Sequence, residues 1–325
     1  MERRGARVDV VEQHLKIRRL GLVHGGAAFR RRRVPACKKR TVGGMGDEAR
    51  KYWLRLEEVP EAGTDPGADK AGNGRWRDLS AVLETQAYDA EVHTAWPGQL
   101  TSRYHRHSQR QEFYTVLAGR GHMLLGQERH PVRAGDCIYV PPGISHTLHN
   151  TSELPLSALI FGTRETDDAC EYPAAPAAPA EPPKRNTLIA SIDDVREANT
   201  RFAGHPWGPR YVRPLGQALG VRGFEVDVQD VAPGAYNASH HRHAVLEELF
   251  FVLSGNVTVL DEGAEAALDR WCVYYAPPGR LHTIRNTGAK DVRLLIFSNP
   301  QPPGESVTYY DLQGNEIPRP QAPAS

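Results

Sequence analysis

Short apolar runs, each stopped by glycine or proline, recur along the chain. Phe113-Tyr114-Thr115-Val116-Leu117 and Leu249-Phe250-Phe251-Val252-Leu253 are aromatic, aliphatic and β-branched, and Gly119 and Gly255 follow them. Such runs are too short for helices and have the residue types that fit a pleated strand. Cys137 to Val140 and Cys272 to Ala276 are similar runs halted by Pro-Pro-Gly, a turn of fixed φ followed by a permissive residue. Leu159-Ile160-Phe161 and Leu294-Leu295-Ile296-Phe297 are apolar throughout and read as buried strands. Thirty glycines and 25 prolines supply turns at close intervals. The pattern predicts an all-β protein, a sandwich or barrel of many short strands.

The runs come in pairs at one offset, 136 residues. Glu57-Glu58-Val59 falls on Asp193-Asp194-Val195, Pro97-Gly98 on Pro233-Gly234, and His105-Arg106-His107 on His241-Arg242-His243. Glu112 falls on Glu248, Pro141-Pro142-Gly143 on Pro277-Pro278-Gly279, His146 on His282, and Asn150-Thr151 on Asn286-Thr287. A period this long is a duplicated domain rather than a solenoid repeat. Between the copies, Glu171 to Pro183 (EYPAAPAAPAEPP) carries proline at nearly every third position, which favours polyproline II and acts as a semi-rigid spacer. The predicted organisation is a basic tail over 1–44, a first domain over 45–170, a linker over 171–185, a second domain over 186–312, and a disordered tail over 313–325.

Length and charge agree with that division. A chain of 325 residues accommodates two domains of roughly 150 residues each. The net charge of +1 provides no field for nucleic acid, but it is unevenly placed. Residues 1–44 hold ten Arg and three Lys against Glu2, Asp9 and Glu12, so this stretch is +10 and the remainder −9. It lacks the unbroken apolar core of a secretory signal and has few apolar anchors, so it is expected to be dispensable for folding and metal content. No apolar run approaches the roughly 18 residues of a membrane span. Cys37, Cys137, Cys170 and Cys272 contain no CxxC pair and are too few for a disulfide scaffold, which points to the cytoplasm.

Candidate chemistry lies in the duplicated polar residues. His-X-His on a strand puts both imidazoles on one face, with Arg106 and Arg242 on the other. His240 and His149 alternate to the opposite face from their neighbouring motif residues. Glu112 and Glu248 open the next strand, and His146 and His282 follow the Pro-Pro-Gly turn. If these strands line one interior, each copy converges three imidazoles and one carboxylate, a donor set suited to a divalent first-row metal. Glu247 is also a carboxylate beside the second set, but a strand points only one of the pair inward, and the offset selects Glu248. Tyr114 and Val116 share the face of Glu112, as Phe250 and Val252 share that of Glu248. Arg103, two residues before His105, is a candidate anion clamp whose mate is Ser239. Gly135, which opens one motif, has Trp271 as its mate.

The stretches Pro97–Gly119 and Gly135–Asn150, repeated at Pro233–Gly255 and Pro277–Asn286, resemble the two signature motifs of the cupins. The chain is thus similar to a bicupin, over about residues 50–168 and 186–310. The resemblance implies two tandem jelly-roll barrels with metal ligands His105, His107, Glu112 and His146 in the first and His241, His243, Glu248 and His282 in the second. It implies up to two divalent ions per chain, Fe2+ or Mn2+ foremost and Ni2+ or Zn2+ as further choices, a small-molecule substrate, and a homo-oligomer as a further prospect. The leading expectation is a dioxygenase that brings a metal-chelating organic substrate and dioxygen together, in a bacterial secondary-metabolism setting, with Glu112, Glu248, Tyr114 and Arg103 as candidate catalytic residues. The alternatives are a non-redox isomerase, cyclase or decarboxylase in which a glutamate shuttles protons, and a binding or storage protein stabilised by metal. Arg103 and Tyr114 against Ser239 and Phe250 make the first site the more polar, so it is the expected reaction centre.

Overall fold

The structure, a computed structural model, describes residues 52–62, 74–176, 186–197, 208, 210–300 and 304–319. The basic stretch 1–44 and most of the Pro/Ala segment lie outside the described residues. Two antiparallel jelly-roll barrels carry the fold. In the N-terminal barrel one sheet runs in the order Ile189–Ser191, Asp136–Val140, Glu112–Ala118, Leu156–Thr163, Tyr88–Ala95, Arg75–Asp78. Facing it are Glu128–Arg133, Arg120–Leu125 and His146–His149, with the pair Arg106–His107 and Cys170–Glu171 joined on through a bridge between His105 and His146. The C-terminal barrel repeats this. Its first sheet runs Trp53–Arg55, Cys272–Ala276, Glu248–Ser254, Val292–Ser298, Glu225–Val231, Arg210–Arg213. Its second runs Ala264–Asp269, Asn256–Asp261, His282–Asn286, His240–His243, Val307–Tyr310, Glu316–Ile317.

Period-two alternation explains why the central strands are apolar on both faces. Tyr114 and Val116 point into the N-terminal barrel with Met123, Ile138 and Leu148. Phe113 and Leu117, on the other face, join a core shared between the barrels. Phe250 and Val252 fill the C-terminal barrel, while Leu249 and Phe251 enter the shared core. Phe161 and Phe297, mates in the repeat, stack across this core with ring centroids 4.2 Å apart and planes 8° from parallel. A residue that meets its own mate marks a pseudo-two-fold axis.

The first strand of each copy belongs to the other barrel. Trp53–Arg55 pairs with Cys272–Ala276, Leu54 opposite Val273, and Ile189–Ser191 pairs with Asp136–Val140, Ala190 opposite Cys137. Each barrel is thus completed by a strand from the other copy, an exchange that the bounds 45–170 and 186–312 did not anticipate. Two further corrections concern segments read as irregular. Glu171 pairs with Arg106 rather than opening the linker, and Glu316–Ile317, within the supposed tail 313–325, pairs with Tyr309 and Tyr310. Both strands are only two residues long, below what composition can signal.

The residue before each glutamate of the central strands faces the shared core and ties the barrels together. Glu247 accepts from the Tyr275 hydroxyl (2.9 Å) and from the backbone N–H groups of Gln86 (3.1 Å) and Ala87 (3.4 Å) in the first copy. Its mate Gln111 accepts from the Tyr139 hydroxyl (2.6 Å) and from the N–H of Gly223 in the second copy (3.0 Å). Gly135 takes a φ of +92°, and Trp271 holds the equivalent left-handed turn at +69° with the Arg270 guanidinium 4.7 Å from the ring centroid.

Candidate metal centres

The two glutamates point into the barrels, where three histidines meet each of them. In the N-terminal barrel His146 Nε2 lies 2.6 Å from Glu112 Oε2, His107 Nε2 3.7 Å from Oε1, and His105 Nε2 3.9 Å from Oε2. In the C-terminal barrel the corresponding distances to Glu248 Oε2 are 2.9 Å for His282, 3.3 Å for His243 and 3.6 Å for His241. His105, Glu112 and His146 form one tight cluster and His241, Glu248 and His282 another, with His107 and His243 completing the sets at the edge. Arg106 and Arg242 turn outward, to Glu171 and over the Tyr310 ring.

The donor atoms fit a cation. In every one of the six rings Nδ1 faces an acceptor. The carbonyls of Arg103 (2.7 Å), Ile144 (2.9 Å), Ser239 (2.7 Å) and Arg280 (3.0 Å) accept from His105, His146, His241 and His282. Asp168 Oδ2 (2.5 Å) accepts from His107 and Glu305 Oε1 (2.9 Å) from His243. A neutral ring whose proton is held on Nδ1 presents a bare lone pair at Nε2. Those lone pairs converge, with His241 Nε2 only 3.1 Å from His243 Nε2, an arrangement that repels unless a cation or extra protons sit between them. Burial and the neighbouring His146 push the His105 imidazole down to about 4, so it is neutral and free to ligate at neutral pH. Burial also lowers His241. Burial alone would lift both glutamates, but any proton shared onto the facing histidines, and the Arg110 guanidinium beside Glu112, outweigh it and hold Glu112 and Glu248 well below the usual carboxylate range. His243 goes the other way: burial opposes its charge, yet Glu248 and Glu305 on its two sides raise it.

The remaining predicted residues fall in different places. Tyr114 reaches the centre, its hydroxyl donating to Glu112 Oε2 at 3.1 Å. Arg103 sits at the rim with its guanidinium 4.3 Å from the centroid of the Tyr172 ring, and it is the Arg103 carbonyl that meets His105. Phe250 packs edge-on against His282. Sequence reasoning missed three carboxylate or guanidinium partners. Asp168 and Glu305 orient His107 and His243 and also accept backbone N–H groups just before the central strands, from Gln109 and Arg110 in one copy and Val245 and Leu246 in the other. They are 137 residues apart, one place off the main offset, which hid the pair. Arg110 lies on the same face as Glu112, with Nε 3.2 Å from Oε1 and Nη1 2.6 Å from Asp89, where the second copy has Leu246. Its two-residue spacing from Glu112 was the available signal.

The expected polarity of the sites needs refinement. The N-terminal centre has the more polar neighbours, but they are spent on one another through Arg110–Asp89, Tyr114–Glu112 and His93–Glu91. An open cavity of about 270 Å³ lies at the C-terminal centre, reached by His241, His243 and Glu248.

Comparison with known proteins agrees with this architecture. The Cupin domain family matches residues 91–162 and again 227–298, one match inside each barrel. The chain is a bicupin, with two cupin domains in one polypeptide. An uncharacterized protein of Methanocaldococcus jannaschii is 38% identical over 69 residues, 21% of this chain and 48% of that protein, so the chain matches about half the length of this relative. Among solved structures, an oxalate decarboxylase formate complex from Lactobacillus farciminis superposes with a TM-score of 0.57 at 13% identity, covering 82% of this chain and 89% of that one. A salicylate 1,2-dioxygenase from Pseudoaminobacter salicylatoxidans with gentisate gives 0.58 at 14% identity, covering 77% and 81%. At such identities the likeness shows the fold. No helix among the described residues is long and apolar enough to cross a membrane.

Proposed function

We propose that this bicupin is a metal-dependent enzyme acting on a small organic substrate that chelates the ion, with dioxygenation as the leading reaction. The observation that supports it most strongly is the convergence, in both barrels, of three imidazole lone pairs and one carboxylate whose outer nitrogens are all tied to acceptors. A purely structural histidine cluster would have no reason to aim six lone pairs inward. A divalent first-row ion held there supplies Lewis acidity and, as Fe2+ or Mn2+, electrons for dioxygen chemistry; Ni2+ and Zn2+ fit the same donors. The chain's own groups hold the ligands in orientation through Asp168 and Glu305, keep the glutamates ionised, and exclude bulk water by burying the ligands.

A non-redox decarboxylase, isomerase or cyclase is the second reading. The fold resembles an oxalate decarboxylase as closely as it resembles a dioxygenase, and Tyr114 donating to Glu112 Oε2 fixes the orientation of that carboxylate. In this reading Glu112 or Glu248 moves the proton and Arg103 meets an anionic substrate at the rim. Anaerobic purification, metal analysis and an oxygen-uptake screen against chelating phenols and short carboxylic acids separate the two. Substrate-dependent oxygen uptake supports the dioxygenase, turnover without uptake supports the second reading, and a protein that holds no divalent metal contradicts both.

A further inference from the structure

The two centres present the same ligands, but one of those ligands already has a cation beside it. Arg110 stands two residues before Glu112 on the same face, and its side chain is only 20% exposed. Its Nε lies 3.2 Å from Glu112 Oε1, and the contact is one of charge, since Nε has no hydrogen-bond partner among the described residues. Glu112 is the strongest of the charged neighbours that stabilise this guanidinium, and Asp89 is the next. Asp89 cannot cancel it alone. Its two oxygens are divided between Arg110 Nη1 (2.6 Å) and Arg164 Nε (2.6 Å), so two positive charges share one carboxylate. The surplus falls on Glu112.

Room for this arrangement is built into the neighbouring strand. Gly162 lies opposite Glu112 in Leu156–Thr163, and a Cβ there would overlap the Arg110 guanidinium. The second copy changes all four positions together. It has Leu246 for Arg110, Ser298 for Gly162, an exposed Glu225 for Asp89 and Pro300 for Arg164. The guanidinium that approaches its centre, Arg210, comes from the edge strand Arg210–Arg213 and interacts more strongly with Tyr309 and Asp227 than with Glu248. One ligand glutamate is thus paired with an internal cation, and its mate faces a cation engaged mainly elsewhere.

We propose that Arg110 is a positioning residue that competes with the metal for Glu112, so that the C-terminal centre fills first and the N-terminal ion is the weaker-held, exchangeable one. This deepens the metalloenzyme reading and rests on it. A positive charge so close to a ligand oxygen opposes an arriving dication, and in a largely buried site salt screens it little. The effect runs opposite to that of Asp168 and Glu305, whose negative charge on the histidines favours the ion.

The test titrates the full chain calorimetrically with Mn2+, one centre at a time. His241→Ala/His282→Ala keeps the N-terminal ligands, and His105→Ala/His146→Ala keeps the C-terminal ones. The N-terminal centre should bind Mn2+ at least about tenfold more weakly than the C-terminal one. Arg110→Gln should tighten it by about tenfold, whereas Arg110→Lys, which keeps the charge, should leave it within about threefold of its starting affinity. A residue that only supported the fold would weaken binding when removed, so the direction of the change decides the matter. Should Arg110→Gln fold poorly, Leu246→Arg with Ser298→Gly moves the same charge beside Glu248 and should weaken the C-terminal centre by about tenfold. An Arg110→Gln protein whose Mn2+ affinity is unchanged or lower at matched folding, or an N-terminal centre that fills first, would overturn the proposal. A wild-type chain that binds no Mn2+ would instead remove the metalloenzyme reading beneath it.

Discussion

Asp168 and Glu305 show how much of a candidate metal centre is decided one residue beyond its donor atoms. Each takes a histidine Nδ1 proton and two backbone N–H groups, so it fixes both the ring and the turn that launches the central strand. Asp168→Asn and Glu305→Gln should each lower metal affinity of their own centre by about 10- to 100-fold, read by competition with a chelator, while the other centre is unchanged. A second single-residue effect concerns Asp227 in the C-terminal barrel, where burial, and next the neighbouring Glu225, push its carboxyl up to about 6 despite Arg210. As pH rises from about 4 to about 6 the unfolded chain gives up this proton while the folded one retains it, so stability falls over that window and stays lower above it. Asp227→Asn removes the slope. Its stability relative to the wild type should therefore grow across the same window, to a gain on the order of 2 kcal/mol at neutral pH in urea unfolding, with no gain below pH 4. The eight candidate ligands, which the structure brings together around Glu112 and Glu248, were legible in the sequence because they repeat at one offset and obey strand alternation. Asp168 and Glu305 were not, since the connection before them differs by one residue, and Arg210 was not, since its mate is a glycine and a repeat shows only what both copies keep.

The central strands Glu112–Ala118 and Glu248–Ser254 have two apolar faces because each separates a barrel interior from the shared core, and this double demand made them visible as unbroken runs. The edge strands were harder to see. Trp53–Arg55 and Ile189–Ser191 are three residues long, and their partners lie more than two hundred residues away in one case and in the opposite copy in both. Nothing in a local pattern states which barrel such a strand joins. The exchange predicts an effect at a distance. Leu54, 5% exposed, packs in the shared core and pairs with Val273, so Leu54→Ala should cost about 2–4 kcal/mol. Hydrogen exchange in that variant should rise in Cys272–Ala276 of the second copy, and a rise confined to the first copy's own strands would contradict the exchanged pairing.

At the scale of the whole molecule, duplication has made one folding unit with two centres. The aromatic stack of Phe161 on Phe297 and the reciprocal bonds of Gln111 and Glu247 lie between the barrels rather than within either. Phe297→Ala should therefore destabilise both barrels together, by about 3–5 kcal/mol, in a single thermal transition. Two transitions, with only the C-terminal one shifted, would mean that the barrels fold independently. The central claim is that each barrel holds one divalent ion on three histidines and a glutamate, and the most direct measurement is the number of ions per chain in protein purified without oxygen and analysed by mass spectrometry. The wild type should carry two, His105→Ala/His146→Ala one, and the variant that also carries His241→Ala/His282→Ala none. An unchanged metal content in that last variant at matched folding, or no metal in the wild type after supplementation, would contradict it.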